Sequence, residues 1–303
     1  MKLIYPSIIF VLISSSLVFA NDKKGKNDKI FDLEVGPATS TMTIDGVINM
    51  EEWGETAVIS DFIQQIPKEG LPATENTEVR LKYDENFLYV AATLYTKTAG
   101  DYVVSSLKRD FEFDQNDAFA IIIGPYDDGN NGFMFAVSPL NIQMEGLINS
   151  GDRVSNVWDN KWFSEVKRYD DRWEVEMAIP FKTLRYTEGS EYWKVNFIRN
   201  DRKNFEQSSW VPVPLNQRIG SLAFTGYLNW DKPLKKPGSN IALIPYAATN
   251  ASKDYQAGEP VNTGFAAGLD AKIAVTPSLN LDLTFNPNQS GPDNTVKDVV
   301  VLP

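Results

Sequence analysis

The cleanest hydrophobic pattern in the chain lies between Arg172 and Ile179. Trp173, Val175, Met177 and Ile179 alternate with Arg172, Glu174 and Glu176, a period of two that predicts a strand with one apolar and one solvated face. Val79 to Asp84 alternates in the same way, turns at Asp84-Glu85-Asn86 and returns as Phe87 to Tyr95, a hairpin. Ala118 to Ile123 is different. It is a continuous run rich in β-branched residues, too short for a helix, and predicts a strand buried on both faces. Pro125 and the polar stretch Asp127 to Gly132 supply a turn, Phe133 to Ser138 returns, and Ile142 to Ile148 comes after the break at Pro139. Trp162 to Tyr169, Trp193 to Arg199 and Ile219 to Leu228 add further strands, Phe181 to Arg185 one helical turn, and Asp45-Gly46 a hairpin-type turn ahead of Trp53. About ten short strands at even spacing with no long helix predict an all-β protein, an antiparallel β-sandwich over residues 38–230.

Beyond that domain the pattern changes. Lys232 to Gly238 reads as a linker, and Ile241 to Ala248 and Gly268 to Phe285 as strands. In the last of these, Leu279, Leu281, Leu283 and Phe285 alternate with Asn280, Asp282 and Thr284, which suits an outer-membrane barrel strand or a sandwich edge equally. At the other end, Lys2, the apolar run Ile8 to Val18 and Val18-Phe19-Ala20 read as a secretory signal peptide over residues 1–20, with a linker over 21–37 after it. The mature chain is therefore expected in the periplasm or secreted.

Composition narrows the chemistry. The 303 residues carry a net charge of -11, which argues against nucleic acid as a partner. There is no histidine and no cysteine, so imidazole bases, thiol nucleophiles, disulfides and lipid attachment at cysteine are all excluded. No P-loop, Rossmann glycine pattern or nucleophile elbow is present. Glu174 and Glu176, about 6.7 Å apart on one strand face, have the spacing of a glycosidase acid/base pair. Two neighbours on one solvated face share one environment, however, so their pKa values are not split and catalysis is not expected. The oxygen-rich loop with Asp127, Asp128 and Asn130, together with Asp117, offers plain turn residues or calcium ligands. Of the seven tryptophans, Trp173 and Trp193 fall on apolar strand faces; Trp158, Trp162 and Trp210 lie at strand ends or beside polar loops, where an exposed platform is an alternative to the core.

Several segments together resemble carbohydrate-binding module family 9: Ile44-Asp45-Gly46 with Trp53, Tyr83 to Val90, Asp117 before the apolar strand, and Trp173 to Phe181, spanning about residues 40 to 228 in the family's order. Gly124 to Phe133 with Phe135 and Pro139, Pro180 to Arg185, Gly268 to Lys272 with Asp282 to Thr284, and Asn286-Pro287 are similar to a Gram-negative subgroup in which the module precedes an outer-membrane β-barrel. The resemblance implies a sugar stacked between two aromatic side chains, and structural calcium. In place of a tryptophan before Asp117 the chain has Phe111 and Phe113, and Trp210 is the nearest candidate for the second ring. The implied site then takes rings from Phe111, Phe113, Trp158 and Trp210, and polar groups from Asp114, Asn116, Asp159 and Arg199. Oligo- or polysaccharide is the implied partner, with the outer membrane expected to be reached only through the subgroup's barrel, whose start is expected to be truncated after Asn286-Pro287. Two readings remain open: non-catalytic carbohydrate binding, and a plug or assembly module of a barrel protein with no glycan ligand. An accessory part of a glycoside hydrolase is a third.

Overall fold

The computed structural model describes residues 31–54, 56–97, 101–235, 241–253, 261–276, 279–285 and 299–302. The predicted signal peptide, the linker before residue 31 and Asn286-Pro287 lie outside them. In chain order the elements are β1 (Asp32–Pro37), a helical turn α1 (Met50–Trp53), β2 (Ile63–Ile66), β3 (Thr77–Tyr83), β4 (Phe87–Tyr95), β5 (Ala118–Gly124), β6 (Gly132–Val137), β7 (Gln143–Asn149) and β8 (Arg153–Ser155). They continue with β9 (Phe163–Arg168), β10 (Arg172–Pro180), β11 (Tyr192–Asp201), β12 (Glu206–Ser209), β13 (Gly226–Trp230), β14 (Ile241–Ser252), β15 (Asn262–Thr276), β16 (Leu279–Phe285) and β17 (Val299–Leu302).

One curled sheet runs β8-β7-β6-β5-β11-β13-β1-β3-β4-β10-β9, with β12 pairing β11 and β2. Its two halves fold onto each other and bury Phe119, Ile121, Phe135 and Phe197 against Val90, Trp173, Val175 and Met177, the core of a β-sandwich. The seam is β1, which pairs in parallel with β13 over Asp32 to Val35 and with β3 at Gly36 and Pro37. The composition of these residues suggests a linker, yet Val35 is buried and the backbone is held on both sides, so the sandwich begins earlier than residue 38. The sandwich is otherwise antiparallel, as the alternation predicts. The expected strand at Ile219 shortens to Gly226–Trp230.

Both outer faces are also covered. Over β5, β6 and β7, Phe111 and Phe113 join Ile122, Met134 and Met144 in a second apolar layer. Over β4 and β10, Trp53 packs on Tyr89, Ala91 and Ala178, with Ile44 and Ile48 beside it. This cover corrects the expected solvated face of β10. Glu176 is 0% exposed: its carboxylate accepts from the backbone N–H of Asp45 at 3.0 Å and Gly46 at 2.9 Å, and from the Trp53 indole at 2.8 Å. Glu174 is buried too and accepts from Arg172, Tyr169 and the Ile48 N–H. The Asp45-Gly46 turn therefore docks onto β10 instead of closing a hairpin. A Cβ on Gly46 would meet the Val166 backbone at 2.9 Å, so only glycine fits there.

Residues 232–235, expected as linker, run along the sandwich with Leu234 buried and its N–H donating to the Ser190 carbonyl. Strands β14 to β17 form a separate four-stranded antiparallel meander. Its register sets Leu243 opposite Ala271, which in turn lies opposite Leu283, so the apolar members of each alternating strand fall in line across the sheet.

Candidate functional site

The end of β11 is where the sequence-predicted residues converge. Asp117, just before β5, is buried, and its two carboxylate oxygens accept from the backbone N–H groups of Val103 and Arg202, each at 2.6 Å. Burial pushes its pKa up, and those two hydrogen bonds pull the other way. Asn116 accepts from Ser105 through its side chain and donates to the Glu112 carbonyl. Asn200 donates to the carbonyls of Phe113 and Asn116 at 2.9 and 2.7 Å. The loop before β5 and the turn after β11 are thus tied together by buried amides and one buried carboxylate.

Arg199 is buried on the opposite face of β11. It donates to the carbonyls of Asn76 and Tyr95 and to Asp201 at 3.1 Å, joining the two halves of the sandwich. Asp201 also accepts from the side chain and N–H of Asn204, which folds residues 201–206 into a turn. Phe205 closes it in the left-handed region at φ 51°, its N–H donating to the Arg202 carbonyl. Behind it Glu206 is buried and accepts from the Thr74 N–H and hydroxyl.

This scaffold presents a small chemical surface. Phe205 is 70% exposed. The Arg202 guanidinium lies 5.6 Å from the Phe205 ring centroid, and the Lys203 ammonium 4.2 Å from that of Tyr102. Exposed Asp114 accepts from Gln207 at 3.3 Å. An exposed apolar ring with a guanidinium beside it, on a turn that also carries an ammonium and reaches a carboxylate through Gln207, offers groups that a polyol with apolar C–H faces can use.

Other expected site residues lie elsewhere. Phe111 and Phe113 are in the layer over β5 and present no ring face to solvent. Trp210 is buried between Phe31 and Phe197, and Gly226 leaves the space its indole occupies, since a Cβ there would be 2.6 Å from it. Trp162 is buried with its indole N–H on Glu145. Trp158 is half-buried against Phe133 and Phe135, and exposed Asp159 sits 3.8 Å from Arg109. Tyr102, Arg202, Lys203, Phe205 and Gln207 carry no pattern that marks them in the sequence; the one available signal is a lone phenylalanine closing the polar stretch Asp201 to Asn204.

The calcium reading does not fit these positions. Asp128 accepts from Asn130 and Asn131, which holds its pKa down, and Asp127 accepts from Tyr192. Asp117 is at the other end of β5 with both oxygens engaged. Among the described residues no three acidic groups are placed to hold a metal ion.

No protein-family model matches the chain, and a search of curated proteins returns no match. Among solved structures, the chain is similar to a Bacteroides uniformis protein whose name proposes carbohydrate binding, at TM-score 0.52 and 15% identity, over 66% of this chain and 99% of that one. A family 9 carbohydrate-binding module from Caldicellulosiruptor kristjanssonii matches at 14% identity in two structures. Its complex with cellotriose has TM-score 0.49 over 66% and 94% of the two chains, and its complex with glucose 0.48 over 66% and 96%. At such identities the likeness is one of fold.

Proposed function

We propose that this chain is a non-catalytic carbohydrate-binding protein that holds an oligo- or polysaccharide at the turn between β11 and β12. The observation that carries the reading is Phe205: an exposed ring in a conformation that costs energy, held by a buried scaffold, with the Arg202 guanidinium beside it. The shared fold with a protein whose name proposes carbohydrate binding supports the same reading. Glu174 and Glu176, which have a glycosidase's spacing, are buried under the 42–53 segment and engaged as acceptors, so they have no route to a substrate. Export through the signal peptide and a place beside polysaccharide breakdown complete the proposal.

An open surface of this kind gives affinities from about millimolar to micromolar, about -4 to -8 kcal/mol. Calorimetric titration with a panel of neutral and acidic oligosaccharides tests it. Saturable binding that Phe205→Ala or Arg202→Gln weakens by about tenfold, about 1.4 kcal/mol, is expected. No heat with any glycan at about 10 mM, well above the weak limit, sinks the reading.

A second reading, the outer-membrane assembly module, is favoured by one observation. In the β14–β17 meander Leu243 and Phe265 are exposed, and the apolar positions line up on one side as in a lipid-facing sheet.

A further inference from the structure

The other end of β11 carries a cleft that the binding reading does not use. It has a volume of about 300 Å³ and lies beside the β5–β6 turn, walled by Tyr126 and Leu222, with Asp127, Gly129 and Lys194 around it. Its size is at the lower end of ligand pockets. A side chain at Gly129 would meet nothing within 4 Å of its Cβ, so this side of the opening is clear. The polar groups are positioned by an exposed tyrosine pair. Tyr192 donates to Asp127 at 2.9 Å, the Lys194 ammonium lies 3.6 Å from the centroid of the Tyr227 ring and 3.8 Å from Asp127, and the two rings meet edge-on at 5.4 Å. Tyr192 and Tyr227 are both exposed, yet neither ring is loose.

A cation and a carboxylate 3.8 Å apart can grip two neighbouring hydroxyls, the ammonium donating to one and the carboxylate accepting from the other, while an aromatic wall covers a C–H face. Lys194 and Asp127 have that arrangement, with Tyr126 as the aromatic wall of the cleft and Tyr227 holding the ammonium in place. We infer that this cleft is a second saccharide site, and that one long polysaccharide engages it together with the β11–β12 turn. The inference rests on the carbohydrate-binding reading of that turn. Tyr192 and Asp201 are the two ends of one strand, nine residue steps apart, which is about 30 Å. A short oligosaccharide reaches one site only. A polymer reaches both, and its second contact forms at the high effective concentration set by the first.

The test compares soluble β-glucan and xylan, each as polymer and as trisaccharide, by calorimetry on the full chain. Whichever glycan binds should bind as polymer about 100-fold more tightly per chain than as trisaccharide. Tyr227→Ala and Asp127→Asn should each remove most of that gain and leave trisaccharide affinity at the β11–β12 turn unchanged. Both alter exposed side chains, and an unchanged melting curve shows that each variant is folded. Trisaccharide binding with a polymer no tighter, or a polymer gain that both variants retain, overturns the second site and leaves the first standing. Trisaccharide binding about tenfold weaker in Phe205→Ala, together with an intact trisaccharide response in Tyr227→Ala, identifies the turn as the primary contact, as required. No binding of either glycan in either form overturns both.

Discussion

Two buried carboxylates organise this sandwich, and they do opposite things. Glu176 on β10 draws the Asp45-Gly46 turn and the Trp53 indole inward, so a loop becomes a lid and an outer sheet face disappears from solvent. Asp117 before β5 also collects two backbone N–H groups from distant loops, but those loops keep Val103 and Phe205 exposed. The number of donors is similar; the residues next to them in the chain are not. Beside the donors to Glu176 lie Ile44, Ile48 and Trp53, which pack onto the sheet. Beside the donors to Asp117 lie Phe205, exposed with the Arg202 guanidinium by its ring, and Tyr102, half-buried against Trp173 with the Lys203 ammonium over its ring. The same interaction builds core in one place and a presented site in the other.

The largest effect should come from removing the first carboxylate. Glu176→Ala leaves the N–H groups of Asp45, Gly46 and Trp53 without their acceptor under the lid. Each such loss costs about 1 to 3 kcal/mol, and water entering the gap recovers part of it, so a destabilisation of about 3 to 5 kcal/mol is expected in urea unfolding. A loss below about 1 kcal/mol would mean that the lid is held by its apolar contacts and that the comparison of carboxylates is wrong.

Much of this is legible in the sequence, and the gaps have a physical reason. The period of two fixes the strand at Arg172 to Ile179, and the unbroken apolar run fixes Ala118 to Ile123 as a strand covered on both sides. Alternation distinguishes apolar from polar positions, however, and not buried from exposed. Glu174 and Glu176 occupy the polar phase of the pattern, and the segment that covers them and donates to both comes from 126 to 130 positions away. Trp210 misleads for the same reason, since the space for its ring is made by Gly226 and its neighbours are Phe31 and Phe197. Asn116, Asp117 and Arg199 do gather at one end of the molecule, but as the frame of a site and not its surface. The turn at 201–206 looks ordinary until Asp117, 85 residues earlier, is seen to hold it.

A smaller effect separates the charge of Glu176 from its geometry. Burial raises its pKa above the ordinary 4.5 despite the three donors. A raised carboxylate contributes its full stability below about pH 4.5 and loses it as pH rises through the folded value. Glu176→Gln has no proton to lose there. The stability of the wild type relative to this variant should therefore fall as pH rises from about 4.5 through the folded value, measured by chemical unfolding at each pH. A difference that rises over that interval would show the three donors outweighing burial.

The smallest effect belongs to the other region. Phe205 is 70% exposed and sits at φ 51°, so the fold gains little from its side chain and holds its backbone at a cost of about 1 to 2 kcal/mol. Glycine adopts that conformation freely but gives up about 0.5 to 1 kcal/mol through its greater freedom in the unfolded chain. The two terms nearly cancel, and Phe205→Gly should leave stability unchanged or raise it by up to about 1 kcal/mol. The same substitution removes the ring beside the Arg202 guanidinium and should weaken glycan binding by about tenfold or more. At Glu176 stability and structure fall together; at Phe205 function should fall while stability does not. If Phe205→Gly instead destabilises the protein by more than about 1 kcal/mol, the ring is a packing element. The two ends of the comparison would then be alike, and the left-handed turn would need another explanation.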